Sequence, residues 1–517
     1  VDFAVKDGYV VGIGEYRGKQ EYDLAGTYVV PGLIDAHVHI ESSLLTPAEY
    51  ARLVLAHGTT TVIADPHEIA NVCGAPGIEY LLAEGARTPL DIQVMLPSCV
   101  PATPLDAGGA RLTADDLARF RGRAGVIGLA EVMNVPGVLA GDDDLRAKMR
   151  LFEVIDGHAP LLSGKDLNAY ICAGVQSDHE STSLAEAREK LLRGMYIMIR
   201  EGSTEQNLRD LLPLVDACTA ARCCFATDDR HADMLAGEGH IDDCIRKAVA
   251  CGLEVELALR MATLSAAGRF GLHDRGAIAP GRLADFCVVD DPDRFHVART
   301  FKRGVEVIDT GYRPPACPAI PLRARMPEPR DSRITGRGEA RVIGIVPGQI
   351  ITRDLRYTLD AAGIPDIERD ILKAVVTDRY RGSGSGVGLV QGFGLQEGAI
   401  AGSVSHDSHN IVAVGVDDAE IIGAIGEVVR LGGGLVVVSG DDVTGLPLEC
   451  AGLMSALPHE EVVRCLGALR EHARRLGAVE NPFMYLSFLA LTVIPEVRVT
   501  ERGIFDVRAF VDVPLFL

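Results

Sequence analysis

The chain has 517 residues, enough at roughly 100–200 residues per domain for about three domains, so a lone small module is excluded. Apolar residues make up 47% and charged residues 24%, the balance of a folded globular protein rather than a disordered one. With 51 Lys and Arg against 72 Asp and Glu the formal charge is −21, which repels phosphate backbones and anionic membranes and argues against both as partners. No uncharged apolar run approaches the roughly 18 residues of a membrane span, and the opening residues resemble no signal peptide. A soluble, cytoplasmic protein is expected. The twelve cysteines include no Cys-x-x-Cys pair, so buried free thiols are expected, with Cys223 and Cys224 packing inside a strand.

Residues 1–30 read as short strands around glycine turns, with a hairpin turning at Asp7-Gly8. A similar pattern returns after Pro280-Gly281, so 1–30 and 271–310 are expected to form one small β-sandwich domain flanking whatever lies between. Eight apolar runs of strand length follow, at 33–39, 59–65, 91–96, 125–131, 153–158, 174–179, 195–200 and 223–228, most separated by helical segments. After the first, Thr46-Pro47-Ala48-Glu49 predicts a capped helix that stops near Gly58. Ser183 predicts the start of a helix running through Leu192. Eight strand–helix units in about 240 residues match a (β/α)₈ TIM-like barrel at 31–270 better than a doubly wound sheet. The Pro- and Arg-rich stretch 311–340 reads as a linker, and 341–517 as a C-terminal α+β domain.

The working face of such a barrel lies at the C-terminal ends of its strands. The first run ends in Asp35-Ala36-His37-Val38-His39, and residues two apart on a strand point the same way, so His37 and His39 can converge on one ion. The other runs end in Asp65-Pro66-His67-Glu68, Glu131, Asp156-Gly157-His158, Asp178-His179-Glu180 and Thr227-Asp228-Asp229-Arg230. Singly, each is an ordinary scaffold histidine or helix-capping Asp. Together, His37, His39, Glu131, His158, His179 and Asp228 fall at one rim. Four imidazoles and two carboxylates without a thiolate suit a pair of Zn, Fe or Mn ions and a hydrolytic reaction.

At these residues the sequence resembles the amidohydrolase superfamily and, within it, the adenine deaminase family. The resemblance rests on Pro31–Ser43, Ala64–Asn71, Gly128–Met133, Asp156–Pro160, Ser177–Ser181, Met198–Ser203 and Thr227–His231, with Ser405–Ile411 and Ala451–Ser455 further on. Leu161, Ala232 and Leu264-Ser265-Ala266 depart from the family's pattern without touching a proposed ligand. The resemblance implies hydrolytic deamination of adenine to hypoxanthine and ammonia, by a metal-bridging hydroxide attacking purine C6. It implies two divalent ions per subunit, Mn²⁺ or Fe²⁺ with Zn²⁺ possible, on the six residues above. It further implies Glu131, Asp228 and His67 as catalytic groups, with Glu131 delivering a proton to N1 or bridging the metals. Arg200, Glu201 and Ser203 would contact the base or serve as salt-bridge supports. A homo-oligomer, a dimer favoured, is the expected assembly.

Another amidohydrolase acting on a cyclic amide or a different nucleobase shares the same ligands, because substrate choice lives in loops. A metal-free barrel kept as a scaffold is the reading from outside the enzymes. His406 and His409, three apart, read as one face of a helix or as turn anchors, the structural role being preferred. Arg381–Gly388 reads as a flexible turn.

Overall fold

The computed structural model describes residues 1–517 except 25, 293, 310, 319–321 and 361–362. Residues 319–321 of the expected linker, and 25, 293 and 310 of the expected β-sandwich, therefore lie outside the described residues.

Eight parallel strands carry the centre of the chain: β1 (Leu33–Val38), β2 (Thr59–Ala64), β3 (Asp91–Leu96), β4 (Val126–Val132), β5 (Ile155–Gly157), β6 (Ser177–Asp178), β7 (Tyr196–Arg200) and β8 (Cys223–Ala226). Strands β1 to β5 form one parallel sheet in chain order, and β6 to β8 a second. Backbone bonds cross both seams. Gln176 N donates to Ile155 O at 3.2 Å, while Asp228 N donates to His37 O at 3.0 Å and His39 N to Asp228 O at 3.2 Å. This curled parallel sheet fits a TIM-like domain. β1 and β2 are buried at every position, which is why they read as unbroken apolar and β-branched runs rather than as alternating ones.

The helix after β1 spans Pro47–Ala56, with proline in its first turn as expected. Thr46 makes no side-chain cap there. Glu49, the residue expected to close the capping box, instead accepts from Arg52 and from the backbone of His459. Ser183 does cap its helix, accepting from Glu186 N.

The hairpin Phe3–Lys6/Tyr9–Ile13 turns through Asp7 and Gly8, both at positive φ (53° and 83°), as a type I′ turn requires. It joins the second flank through Val10 N to Arg282 O and Ala284 N to Gly8 O. Tyr28–Pro31 pairs with Phe286–Asp291 in a four-stranded antiparallel sheet, so residues from both ends of the barrel segment build this unit. It packs closely on the barrel: a Cβ at Gly58 would meet Cys287 Sγ at 2.8 Å.

C-terminal to residue 336, an eight-stranded sheet runs in the spatial order 352–360, 337–345, 385–391, 371–377, 411–415, 399–402, 434–439 and 442–447, and helices Asp418–Leu431 and His459–Arg475 follow its fourth strand pair and its edge. Part of the expected flexible turn belongs to this sheet, since Ser385–Gln391 is a strand. Its glycines allow close packing; a Cβ at Gly386 would lie 2.1 Å from Thr500 O. One apolar core runs from the barrel's Ile40, Leu44 and Tyr80 into Leu453, Met454 and Leu466 of this sheet-and-helix region, and Ser455 N donates to Leu44 O at 2.8 Å. Loop 403–410 and helix Pro482–Phe488 with the segment after it are thereby brought over the C-terminal rim of the barrel. No helix among the described residues is long and apolar enough to cross a membrane, and all twelve cysteines are free thiols.

Candidate active site

The six expected ligand residues lie within one buried cluster at the C-terminal ends of β1, β4, β5, β6 and β8. His37 Nδ1 is 3.2 Å from Asp156 Oδ2, and His39 Nδ1 is 3.1 Å from the Asp65 carbonyl. Both partners are acceptors, so each Nδ1 carries a proton and each Nε2 is left to face the cluster. Those two Nε2 atoms are 3.2 Å apart. Asp228 Oδ1 lies 3.5 Å and 3.1 Å from them, and Glu131 Oε1 lies 3.4 Å from His39 Nε2. Two imidazole nitrogens and two carboxylate oxygens thus converge on one spot, held together either by protons on the imidazoles or by a cation.

Glu131 divides its two oxygens. Oε1 faces His39 and His67 Nδ1 (3.3 Å), whereas Oε2 faces His158 Nδ1 at 2.7 Å and His179 Nε2 at 3.2 Å. This places one carboxylate between two groups of imidazoles. Among the groups able to hold a cation are His37, His39 and Asp228 on one side, and His158, His179 and Glu180 on the other. His158 Nε2 and His179 Nδ1 are buried with no hydrogen-bond partner among the described residues. The donor set therefore fits divalent ions.

The electrostatics show the same demand for positive charge. Burial opposes a charge on His37, yet Asp156 and Asp228 outweigh it and raise its pKa to about 10. Burial likewise opposes the Glu131 anion, but His158, His179 and His39 hold the carboxyl well below the usual range.

His67 stands beside this set, with Nδ1 3.0 Å from Asp65 Oδ2 and Nε2 3.1 Å from Glu68 Oε1. Arg200 also reaches it, but its guanidinium is committed to two carboxylates, Glu180 and Asp228 Oδ2, the latter at 2.8 Å. Glu201 and Ser203 turn elsewhere. Glu201 accepts from Leu208 N and Lys247 Nζ, and Ser203 Oγ accepts from His231 N; neither lines the pocket over the cluster.

That pocket is narrow, with a free volume of about 30 Å³. A wider groove of about 770 Å³ runs between Leu82 and Ile308 but has no histidine in its wall, so size alone does not pick the site. Several groups in the smaller pocket were not anticipated. Glu68, Glu180 and Asp229 sit one residue after an expected ligand or His67. His406 and Asp407, with Ile350, Phe488, Leu491 and Val493, arrive from the C-terminal sheet. His406 and His409 are on a loop, not a helix, and both clasp the Glu68 carboxylate from across the domain boundary. The only sequence signal for these was the resemblance of Ser405–Ile411 to the family's second half.

Comparison with known proteins agrees in both halves of the chain. Residues 28–307 match the amidohydrolase family model, and residues 349–511 match the model of the adenine deaminase C-terminal domain. The chain is 84% identical over 516 residues to an adenine deaminase of Methanoculleus marisnigri, covering 100% of both chains. It is 60% identical to an adenine deaminase of Methanoregula boonei, covering 100% of this chain and 93% of the relative. Adenine deaminase 2 of Carboxydothermus hydrogenoformans is 48% identical, with 100% and 94% covered. The chain belongs to the adenine deaminase family of amidohydrolases.

Proposed function

We propose that this protein hydrolyses adenine to hypoxanthine and ammonia, with His37, His39, Glu131, His158, His179 and Asp228 holding two divalent ions, Mn²⁺ or Fe²⁺ with Zn²⁺ as a further option. Bound ions of this kind supply hydroxide near neutral pH. Asp228 is the proton carrier: its Oδ1 faces the histidines while Arg200 fixes Oδ2, so it accepts a proton at the first atom and passes it to the leaving amine. Glu131 would be shared between the ions through its divided oxygens; its competing role as proton donor to N1 would need Oε1, next to His67 Nδ1, to carry a proton that the surrounding imidazoles oppose. His67, braced by Asp65 and Glu68, orients the nucleophile or the base.

The observation that carries this reading is spatial. In a chain 84% identical over its full length to an adenine deaminase, His37, His39, His67, His158 and His179, from three separate strand ends and the turn after a fourth, meet at one carboxylate, Glu131. Twelve free cysteines suit a reducing compartment and thus a cytoplasmic enzyme. The test is a steady-state assay of the manganese-loaded protein with metal analysis of the same sample. Hypoxanthine and ammonia from adenine, lost on chelation and restored by metal, is the expected result. Ammonia from cytosine or guanine but not from adenine would move the chain to a different heterocycle. Absence of bound transition metal from protein purified without chelators would favour a scaffold.

A further inference from the structure

Asp407 stands where loop 403–410 meets the barrel rim. It is 6% exposed and lines the pocket, with Oδ1 3.6 Å from His67 Nε2. Its other oxygen, Oδ2, is buried and has no hydrogen-bond partner among the described residues. Buried acceptors are nearly always satisfied, so one left open at a pocket wall calls for a donor that arrives with the ligand. The wall beside it is flat and apolar. The Phe488 ring stacks on His406 with centroids 4.6 Å apart and planes 16° from parallel, and Ile350, Leu491 and Val493 continue the surface. His67 spans the interval between the metal-ligand cluster and this acceptor, with Nδ1 facing Glu131 and Nε2 facing Asp407.

We propose that Asp407 is a specificity-determining residue, accepting the N–H of the purine's five-membered ring while the base lies against Phe488. This rests on the adenine reading above and goes further: it explains from the chain's own residues why a free base is selected. A base substituted at N9 has no such proton, so it would leave the buried carboxylate unpaired and press its substituent into the C-terminal wall.

The test compares wild-type protein, Asp407→Asn and Asp407→Ala, all full length and manganese-loaded, on adenine and on 9-methyladenine. Wild type should bind 9-methyladenine, measured as a competitive inhibitor or slow substrate, about 10- to 100-fold more weakly than adenine. Both variants should raise KM for adenine by a similar factor, keep wild-type metal content, and narrow the adenine to 9-methyladenine preference at least tenfold. A purely structural role would depress kcat or metal content for both compounds and leave that preference unchanged, which would overturn the assignment. Equal binding of the two compounds by wild type would overturn it without any variant. Failure of wild type to release ammonia from adenine would instead overturn the parent reading and this one together.

Discussion

Arg200 Nη1 lies 2.8 Å from Asp228 Oδ2, with both side chains buried. Burial opposes the Asp228 anion, but hydrogen bonds from His37 and His39 and the Arg200 charge hold its carboxyl well below the usual range. Arg200→Met removes the fixed cation, so the carboxyl pKa rises. Because the ionised form is needed to take a proton, the acid limb of the kcat profile should move to higher pH. Asp228→Asn removes the acceptor itself and should lower kcat by about 10²- to 10⁴-fold at all pH values. A pH–rate profile of both variants checks the pair; an unshifted acid limb in Arg200→Met would refute the coupling.

Asp156 touches no proposed ion site directly. Its Oδ2 fixes the His37 Nδ1 proton, while Oδ1 accepts from Ser177 Oγ and Gly157 N. Asp156→Ala frees the His37 ring to rotate or to change tautomer. Metal affinity should fall by about 10- to 100-fold, read as metal content after dialysis against graded chelator. Excess metal should restore most of the activity.

The barrel and the cluster were legible for one physical reason. Parallel strands buried on both faces read as apolar runs, and the polar residues that end them sit at a common rim, so order along the chain translated into proximity. Of the two roles left open for Glu201, the structure shows the salt-bridge support. Neighbouring strand residues point to opposite sides, so when Arg200 enters the site, Glu201 turns to Lys247 and Leu208. His406, Asp407 and Phe488 were beyond reach of any period, because they come from loops and a helix end whose position depends on tertiary packing more than 300 residues away along the chain. The turn-anchoring role preferred for His406 and His409 is what the structure shows, but their spacing alone could not name the partner, a carboxylate of the barrel.

Lys190 is fully buried beneath the cluster and donates to Asp178 Oδ2, Glu186 Oε1, the Ala159 carbonyl and Ser181 Oγ at 2.7–3.2 Å. Burial works against the Asp178 charge, but Lys190, with His179 and Ser181, holds its pKa at about 2 against an ordinary 3.8. A depressed carboxylate stabilises the fold above its unfolded pKa, and that contribution, about 2 kcal/mol, is lost as pH falls through about 4 toward 2. Lys190→Met leaves the carboxylate buried and unpaired. It should cost about 3–5 kcal/mol at neutral pH and flatten the acid dependence in this window. Denaturant midpoints measured at pH 7, pH 4 and pH 2 check both effects.

Arg498 is the support of the pocket's apolar wall. Fully buried, it donates Nε to the Ile494 carbonyl, Nη1 to that of Phe488, and Nη2 to those of Ile350 and Pro495. Two of these carbonyls belong to residues that line the site, so a single guanidinium sets the distance between strands of wall that are far apart in sequence. Arg498→Met would leave the carbonyls buried without donors, at about 1–3 kcal/mol for each one not rescued by water. Thermal stability should drop, and KM for adenine should rise several-fold, while metal content stays at the wild-type level because no ligand is touched. Arg498→Lys offers a charge but not the planar fork, and should recover less than half of the stability. Loss of metal in either variant would show that the wall and the ion cluster are not separable, and would place Arg498 in support of both.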